Sequence, residues 1–313
     1  MIYISEEESA ALISHEIAYT AIRAALVAAV SDEGRIFPAV LGRSASPTNT
    51  FSVKSGSSEN LTGVKIGSFW SKNPERGLPR HNSTIVLLDQ ETGRLSAVVE
   101  AGTVNAYRTA AADAVAADLL ARKDAKSLAV FGAGNQARYE VMALAQIRPL
   151  EIVHVVARIS ERRDAFVDLL RSSGLNVQVS SAEEAVSSSD IVVTSTPARE
   201  ALFEAGWVQP GTHVVGMGSD APGKHELPSG LFASAALFCD LPSQSIMIGE
   251  YQQIRDQVTS GEIIITPIGK VIEGNAPGRT SEDAITVFDS SGIALQDLYI
   301  ADALIKAKTQ SAV

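Results

Sequence analysis

Cysteine is nearly absent from this 313-residue chain; Cys239, in the apolar run ALFCD, is the only one. A lone cysteine excludes an intrachain disulfide framework and a cysteine-based metal cluster, and no metal site is expected. Charge of one sign is nowhere blocked. The 36 acidic and 26 basic residues leave a net charge of −10 and a pI near 5.1, with the two signs interspersed. That argues against nucleic acid or an anionic membrane as the main partner. No hydrophobic run approaches membrane-spanning length, and the opening MIYISEEESAAL lacks the basic and apolar regions of a secretory leader. Repeats and low-complexity segments are missing as well. A soluble, reduced, cytoplasmic protein is the expectation. What is present is 45% hydrophobic residues, enough for two domains of ordinary size with real cores.

The pattern of those residues divides the chain in three. Residues 1 to about 30 read as helix, opened by a capping box at Ser5 and Glu8. The runs RIFPAVL, NTFSVKS, LTGVKIGSFW and TIVLLDQETGRLSAVVEA then read as short strands, with a hairpin turn at 89–93. The stretch NAYRTAAADAVAADLLAR (105–122) is a helix by its Ala and Leu content. From residue 127 six apolar runs (SLAVF, IVHVVA, NVQVS, DIVVTST, HVVGM and ALFCD) follow one another. Helical patterns at 136–148, 160–173 and 182–188 lie among them, which predicts a doubly wound parallel sheet covered on both faces. The last part, AITVFDSSGIALQDLYIADALIKAK (284–308), reads as strand, turn and helix. With no obvious partner in the α/β domain, it is expected to return to the N-terminal sheet. The predicted fold class is therefore α/β: a Rossmann-type domain (116–283) inserted into an α+β domain made of 1–115 and 284–313.

One stretch in that inserted domain carries a mechanism. VFGAGNQARYEVMALAQ (130–146) places G-x-G-x-x-A between a strand and a helix. Gly132 permits the tight turn, Gly134 lets backbone N–H groups approach a pyrophosphate, and Ala137 allows close helix–strand packing. The turn, including Asn135 and Gln136, is the candidate dinucleotide site, with a nicotinamide preferred over a flavin. Which nicotinamide is read at the end of the next strand. There Ala157 and Arg158 of ARISERR stand where an acid would hold the ribose of NAD. Arg158, with Arg162 or Arg163 one turn on, suits a 2′-phosphate, so the cofactor is NAD(P) with NADP(H) favoured over NAD(H).

A reaction must come from the other domain, where two cations lie in apolar or small-residue surroundings: Lys65 in GVKIGSFW and Arg108 in NAYRTAAA. Lys54, in FSVKSG, is a weaker third.

At these residues the chain resembles the ornithine cyclodeaminase/mu-crystallin family. GVKIGS, YRTAAADAVAADLLAR, VFGAGNQA, HVVGMGSDAPGKHEL and AITVFDSSGIALQDL follow the family's motifs in order and over most of the chain. The resemblance implies a dinucleotide domain inserted in a substrate-binding and dimerisation domain, and a homodimer. It also implies roles. Arg108 is the ligand of the substrate α-carboxylate, for which its planar fork is suited, and Lys65 sits near the same carboxylate or the reacting nitrogen. Asp220 of GSD is the catalytic aspartate, and Thr84 lines the pocket, with His81 a speculative extra ligand. Thr194, Ser195, Thr196 and Gly218 lie near the cofactor, and Ser291 and Gly292 close over the nicotinamide. One departure concerns the second carboxylate contact, an arginine soon after a proline in many members. Here Ala39 follows Pro38, leaving Arg35 or Arg43 as substitutes.

The implied chemistry interconverts an amino acid and its imine by hydride transfer at Cα. Arg108 and Lys65 orient the carboxylate, and Asp220 stabilises the iminium and exchanges its proton. Reduction of a small imino acid (ketimine) is the favoured reading. Redox-neutral cyclodeamination of L-ornithine to L-proline and ammonia is the alternative, and an NADPH-dependent binding protein of mu-crystallin type is less favoured.

Overall fold

The computed structural model describes residues 1–311. The chain folds into two compact units, one made of Met1–Arg108 with Ile293–Val313 and the other of Thr109–Gly292.

The first unit runs β1 (Ile2–Ile4), α1 (Glu6–Leu12), α2 (His15–Ala28), β2 (Arg35–Ile36), β3 (Val40–Arg43), β4 (Thr50–Ser57), β5 (Thr62–Phe69), β6 (His81–Leu88) and β7 (Leu95–Glu100). It ends with the first turns of α3 (Gly102–Leu120). The capping box forms as the sequence predicts: Ser5 Oγ accepts from Glu8 N, and Glu8 answers the Ser5 N–H. The opening is nevertheless not one helix. Residues 2–4 form a strand parallel to β7, and the chain bends by 94° between α1 and α2. Ser14 caps α2 afresh, its hydroxyl accepting from Ile17 N at 3.2 Å. The sheet order is β1-β7-β6-β5-β4-β2, with β3 also on β4.

The last helix of the chain, α10 in sequence order (Ala294–Ser311), packs on α2 and over β4, β5 and β6. Two directly paired glycines, Gly56 and Gly63, allow this approach. A Cβ at Gly56 would stand 3.2 Å from Ala294 Cβ, and one at Gly63 would stand 3.0 Å from Leu298 Cδ2.

The second unit holds β8 (Ser127–Phe131), α4 (Asn135–Ile147), β9 (Ile152–Val156), α5 (Ser160–Ser172), β10 (Val177–Val179), α6 (Ala182–Ser187), β11 (Ile191–Thr194) and β12 (His213–Gly216). It continues with β13 (Ala236–Cys239), α7 (Pro242–Ile248), α8 (Arg255–Thr259), β14 (Ile265–Pro267), α9 (Ile268–Ile272) and β15 (Thr286–Asp289). Its eight strands are ordered β10-β9-β8-β11-β12-β15-β13-β14, and every pair is parallel. The order reverses direction between β8 and β11, the position where α/β sheets bind ligands at their carboxyl ends.

The sheet is two strands wider than the six apolar runs predict, and it contains the segment expected elsewhere. Residues 286–289 pair with β12 on one side and β13 on the other, so the strand does not return to the N-terminal sheet. The physical reason is that β12 and β13, though consecutive, leave a gap one strand wide. Thr286–Asp289 fills it and is buried along its whole length. The chain returns to the first unit only at Ile293. Among the described residues no single helix is long and apolar enough to cross a membrane.

Candidate active site

Lys65 lies on β5 with its side chain on the face that α10 covers. Antiparallel register fixes this: Lys54, Lys65, Ile85 and Val99 are consecutive cross-strand partners and so share a face. The ammonium is buried, and its charge meets three groups from two helices. Asn105 Oδ1 on α3 accepts from Lys65 Nζ at 2.5 Å, and Asp297 Oδ1 on α10 stands 3.0 Å away. The same amide oxygen accepts from Arg108 Nε (3.2 Å) and Nη2 (3.0 Å). Arg108 Nη1 donates to Gln296 Oε1 at 3.4 Å, and its Nε lies 3.4 Å from Asp297.

Two buried cations thus converge on one amide and one carboxylate. Burial, with Arg108 next, pushes the Lys65 ammonium down to about 7, while Asp297 pulls the other way. An amine held there both gives and takes a proton near neutrality. Asp297 Oδ2 and Gln296 Nε2 have no hydrogen-bond partner among the described residues.

The structure therefore joins Lys65 and Arg108 but does not bring Thr84 to them. Thr84 pairs with Ile66, and that row of the sheet faces away from Lys65. Ser83, one residue earlier, shares the Lys65 face opposite Gly67. His81 stacks on Phe69 with ring centroids 4.8 Å apart. Arg35 turns into its own loop, Nη1 donating to the carbonyls of Asp32 (2.5 Å) and Gly34 (2.8 Å). Arg43, paired with Thr50, stands on the Lys65 face.

In the second unit the predicted turn takes the shape its sequence requires. Gly132 has φ +117°, and a Cβ there would lie 2.8 Å from the Ser195 carbonyl. Gly134 caps α4 without a side-chain hydrogen bond, and a Cβ on it would meet nothing within 4 Å. Open space thus lies before the N-terminal N–H groups of a 13-residue helix, the setting a pyrophosphate needs. Ala137 is wholly buried, as close packing demands. Asn135 is exposed at the helix start, whereas Gln136 turns back to donate to Glu140 Oε1 at 2.7 Å. Arg158 is exposed two residues beyond β9. Arg163 pairs with Asp164 at 3.0 Å.

The loops at the carboxyl ends of β11 and β12 are tied by one buried carboxylate absent from the sequence reading, Glu226. It accepts from Thr196 N (2.7 Å), Gly218 N (2.8 Å) and Thr194 Oγ1 (2.9 Å). Burial pushes its carboxyl up, against the pull of these donors. Thr194 is accordingly wholly buried and committed to Glu226, while Ser195 N donates to Phe131 O at 3.0 Å. Asp220, on the following loop, pairs with Lys224 at 2.6 Å, its side chain 59% exposed. Asp240 plays the holding role for the last loop, accepting from Gly292 N (2.8 Å) and Ser290 Oγ (3.0 Å). Gln244 Nε2 donates to Ser291 Oγ at 2.9 Å.

The chain as a whole matches a known family. A model of the ornithine cyclodeaminase/mu-crystallin family matches residues 12–311. The chain belongs to that family. Iminosuccinate reductase of Paracoccus denitrificans is 33% identical over 308 residues, covering 98% of this chain and 96% of that protein. An archaeal alanine dehydrogenase dimer with bound NAD has a TM-score of 0.92 at 30% identity, covering 100% of this chain and 97% of the other. Δ1-pyrroline-2-carboxylate reductase of Thermococcus litoralis, in complex with NADH and L-proline, has a TM-score of 0.90 at 26% identity, covering 100% and 99%.

Family membership also weighs the residues that sequence reasoning missed. Asn105 and Asp297 border both predicted cations and Gln296 borders Arg108, and Asp297 had a signal: an acid inside the apolar helix IALQDLYIADALI. Glu226 had none beyond its place six residues after Asp220.

Proposed function

We propose that this protein is an NAD(P)-dependent oxidoreductase that interconverts a small imino acid (ketimine) and the corresponding amino acid by hydride transfer at Cα. The observation that carries the reading is the buried convergence of Arg108 and Lys65 on Asn105 and Asp297. A guanidinium fork and an adjacent ammonium form a carboxylate site. The relatives add the reaction class: one is named for reducing an iminodicarboxylate, another for reducing a cyclic imino acid.

In this mechanism Arg108 and Lys65 bind the α-carboxylate and so fix the position of Cα, an orientation effect worth several orders of magnitude in rate. Asp220, as an anion, faces the iminium nitrogen and exchanges its proton. Lys65, poised at about 7, is a second proton-transfer group within reach of the carboxylate end. The Gly132–Ala137 turn and the α4 N-terminus hold the pyrophosphate. The chemistry a bound nicotinamide supplies is the hydride itself.

NADP(H) is proposed over NAD(H) on Arg158, which is exposed two residues beyond β9, where a cofactor ribose would be recognised. The neighbours described above contain NAD and NADH, so this preference is a claim about Arg158. We also propose a homodimer through the sheet face opposite α10. That face presents the apolar side chains of Val40 at 59% and Ile66 at 45% exposure, and exposed apolar patches mark interaction surfaces. Thr84 belongs to that face. A cytoplasmic location fits the single buried thiol, Cys239.

The test is a panel of imines, formed from 2-oxo acids with ammonia or methylamine or supplied as cyclic ketimines, with NADPH and NADH in turn. L-ornithine with NAD runs in parallel. Oxidation of the reduced cofactor by one imine supports the reading. Proline and ammonia from ornithine without net cofactor turnover would establish the cyclodeaminase instead.

A further inference from the structure

The loop after β12 is built more firmly than its surface position requires. Near its start, Gly218 is fixed by the wholly buried Glu226. The wholly buried Ser219 donates its hydroxyl to the Lys224 carbonyl at 2.8 Å, and Gln252 Nε2 donates to the same oxygen at 3.1 Å. The backbone of Lys224 is thereby held from two sides. Its side chain folds back across the loop, donating to Gly218 O at 3.4 Å and to Asp220 Oδ1 at 2.6 Å. Exposed ion pairs usually contribute little, because two long side chains must be ordered to make them. Here the lysine backbone is already ordered, the ammonium has a second acceptor, and its side chain is only 24% exposed.

We propose that Lys224 is a positioning residue for Asp220, aiming the carboxylate and keeping it anionic for proton exchange at the substrate nitrogen. The proposal rests on the reading of Asp220 as the group that faces the iminium. A cation within 4 Å favours the ionised carboxyl, and only the ionised form stabilises an iminium. Other charged groups stand against this loop. Arg199 brings Nη1 to 3.1 Å from where a Gly223 Cβ would stand. His225 follows Lys224 and forms a backbone bridge with Arg199. The buried carboxylates Glu226 and Glu250 lie behind, with Glu250 accepting from Glu226 N at 3.0 Å.

The experiment is the pH profile of kcat/KM, with one imine substrate, for wild type, Lys224→Met, Lys224→Arg and Asp220→Asn. Nicotinamide-cofactor Kd is measured in parallel. Methionine keeps the aliphatic stem and removes the charge, so the fall in activity toward low pH should begin about 0.5–1 pH unit higher. Arginine should restore the wild-type limb, and cofactor Kd should stay within about twofold throughout, because Lys224 lies outside the Gly132–Ala137 turn. A Lys224→Met profile that coincides with wild type overturns the proposal. Asp220→Asn reads the parent assignment separately. If it is crippled while Lys224→Met titrates like wild type, only the lysine's role falls. If Asp220→Asn works nearly normally, both roles fall.

Discussion

Asp297→Asn perturbs the cationic cluster where the structure allows its effect to be worked out. The carboxylate stands 3.0 Å from Lys65 Nζ and 3.4 Å from Arg108 Nε, and all three residues are buried. Removing one partner of a buried pair costs about 3–5 kcal/mol when the other charge must stay. Arg108 must stay charged, but Lys65 has an escape. Burial and Arg108 already hold it at about 7, so near neutrality it sheds its proton at little cost. The carboxylate is what favours the ammonium, so the amide lowers the folded-state value further while the unfolded value is unchanged. At pH 9 both proteins hold Lys65 largely neutral, and the destabilisation is confined to the Arg108 side of the cluster. Below pH 7 the wild type takes up a proton that the variant refuses. The difference should grow by about 1 kcal/mol from pH 7 to 6 and approach about 1.4 kcal/mol per unit below that, until the variant's own lysine titrates. Urea denaturation of both proteins at pH 9, 7 and 6 measures it. A difference that is flat with pH, or largest at pH 9, refutes the placement of a titrating ammonium against Asp297.

Other outcomes follow from the same geometry. Arg158→Ala should weaken NADPH binding roughly ten- to a hundredfold, the worth of one charge-assisted contact, and leave NADH nearly unchanged by fluorescence titration. Tighter binding of NADH than NADPH by the wild type would overturn the assignment. Arg108→Lys keeps the charge but loses the fork, so steady-state kinetics should show a raised KM and a lowered kcat with unchanged cofactor affinity. Gly63→Ala drives a methyl into the Val86 carbonyl of the neighbouring strand and sets it 3.0 Å from Leu298 Cδ2. Overpacking of this kind costs about 1–3 kcal/mol, and displacing α10 should also raise substrate KM, read from a melt and a rate assay on the same sample.

The parts of this fold that were legible in the sequence are those whose signal is local. The Gly132 turn shows because a strand, two glycines, a small residue and a helix adjoin in the chain, and its φ of +117° is a demand that one residue type meets. Membership of a sheet is not local. Thr286–Asp289 is a short strand buried along its whole length, and its place between β12 and β13 is set by a gap that no residue in the segment records. The face that Thr84 takes is not legible for a related reason. β6 reads Ser83, Thr84, Ile85, Val86, Leu87, so both faces carry apolar residues and alternation does not say which looks toward Lys65. Register decides it, through Lys65 opposite Ile85. The predicted cations were found because charge in an apolar run is conspicuous. Their neighbours Asn105 and Asp297 come from helices far apart in the chain, and only folding brings them to the same ammonium.

The central claim is a hydride delivered to Cα of an imino acid, and isotope transfer tests it most directly. The protein is given the best imine of the panel and a reduced nicotinamide carrying deuterium at both C4 positions, and the amino acid formed is analysed by mass spectrometry and proton NMR. The account predicts one deuterium at Cα for each cofactor oxidised. Amino acid formed without deuterium at Cα, or no cofactor oxidised with any imine while ornithine is converted to proline and ammonia, would contradict it.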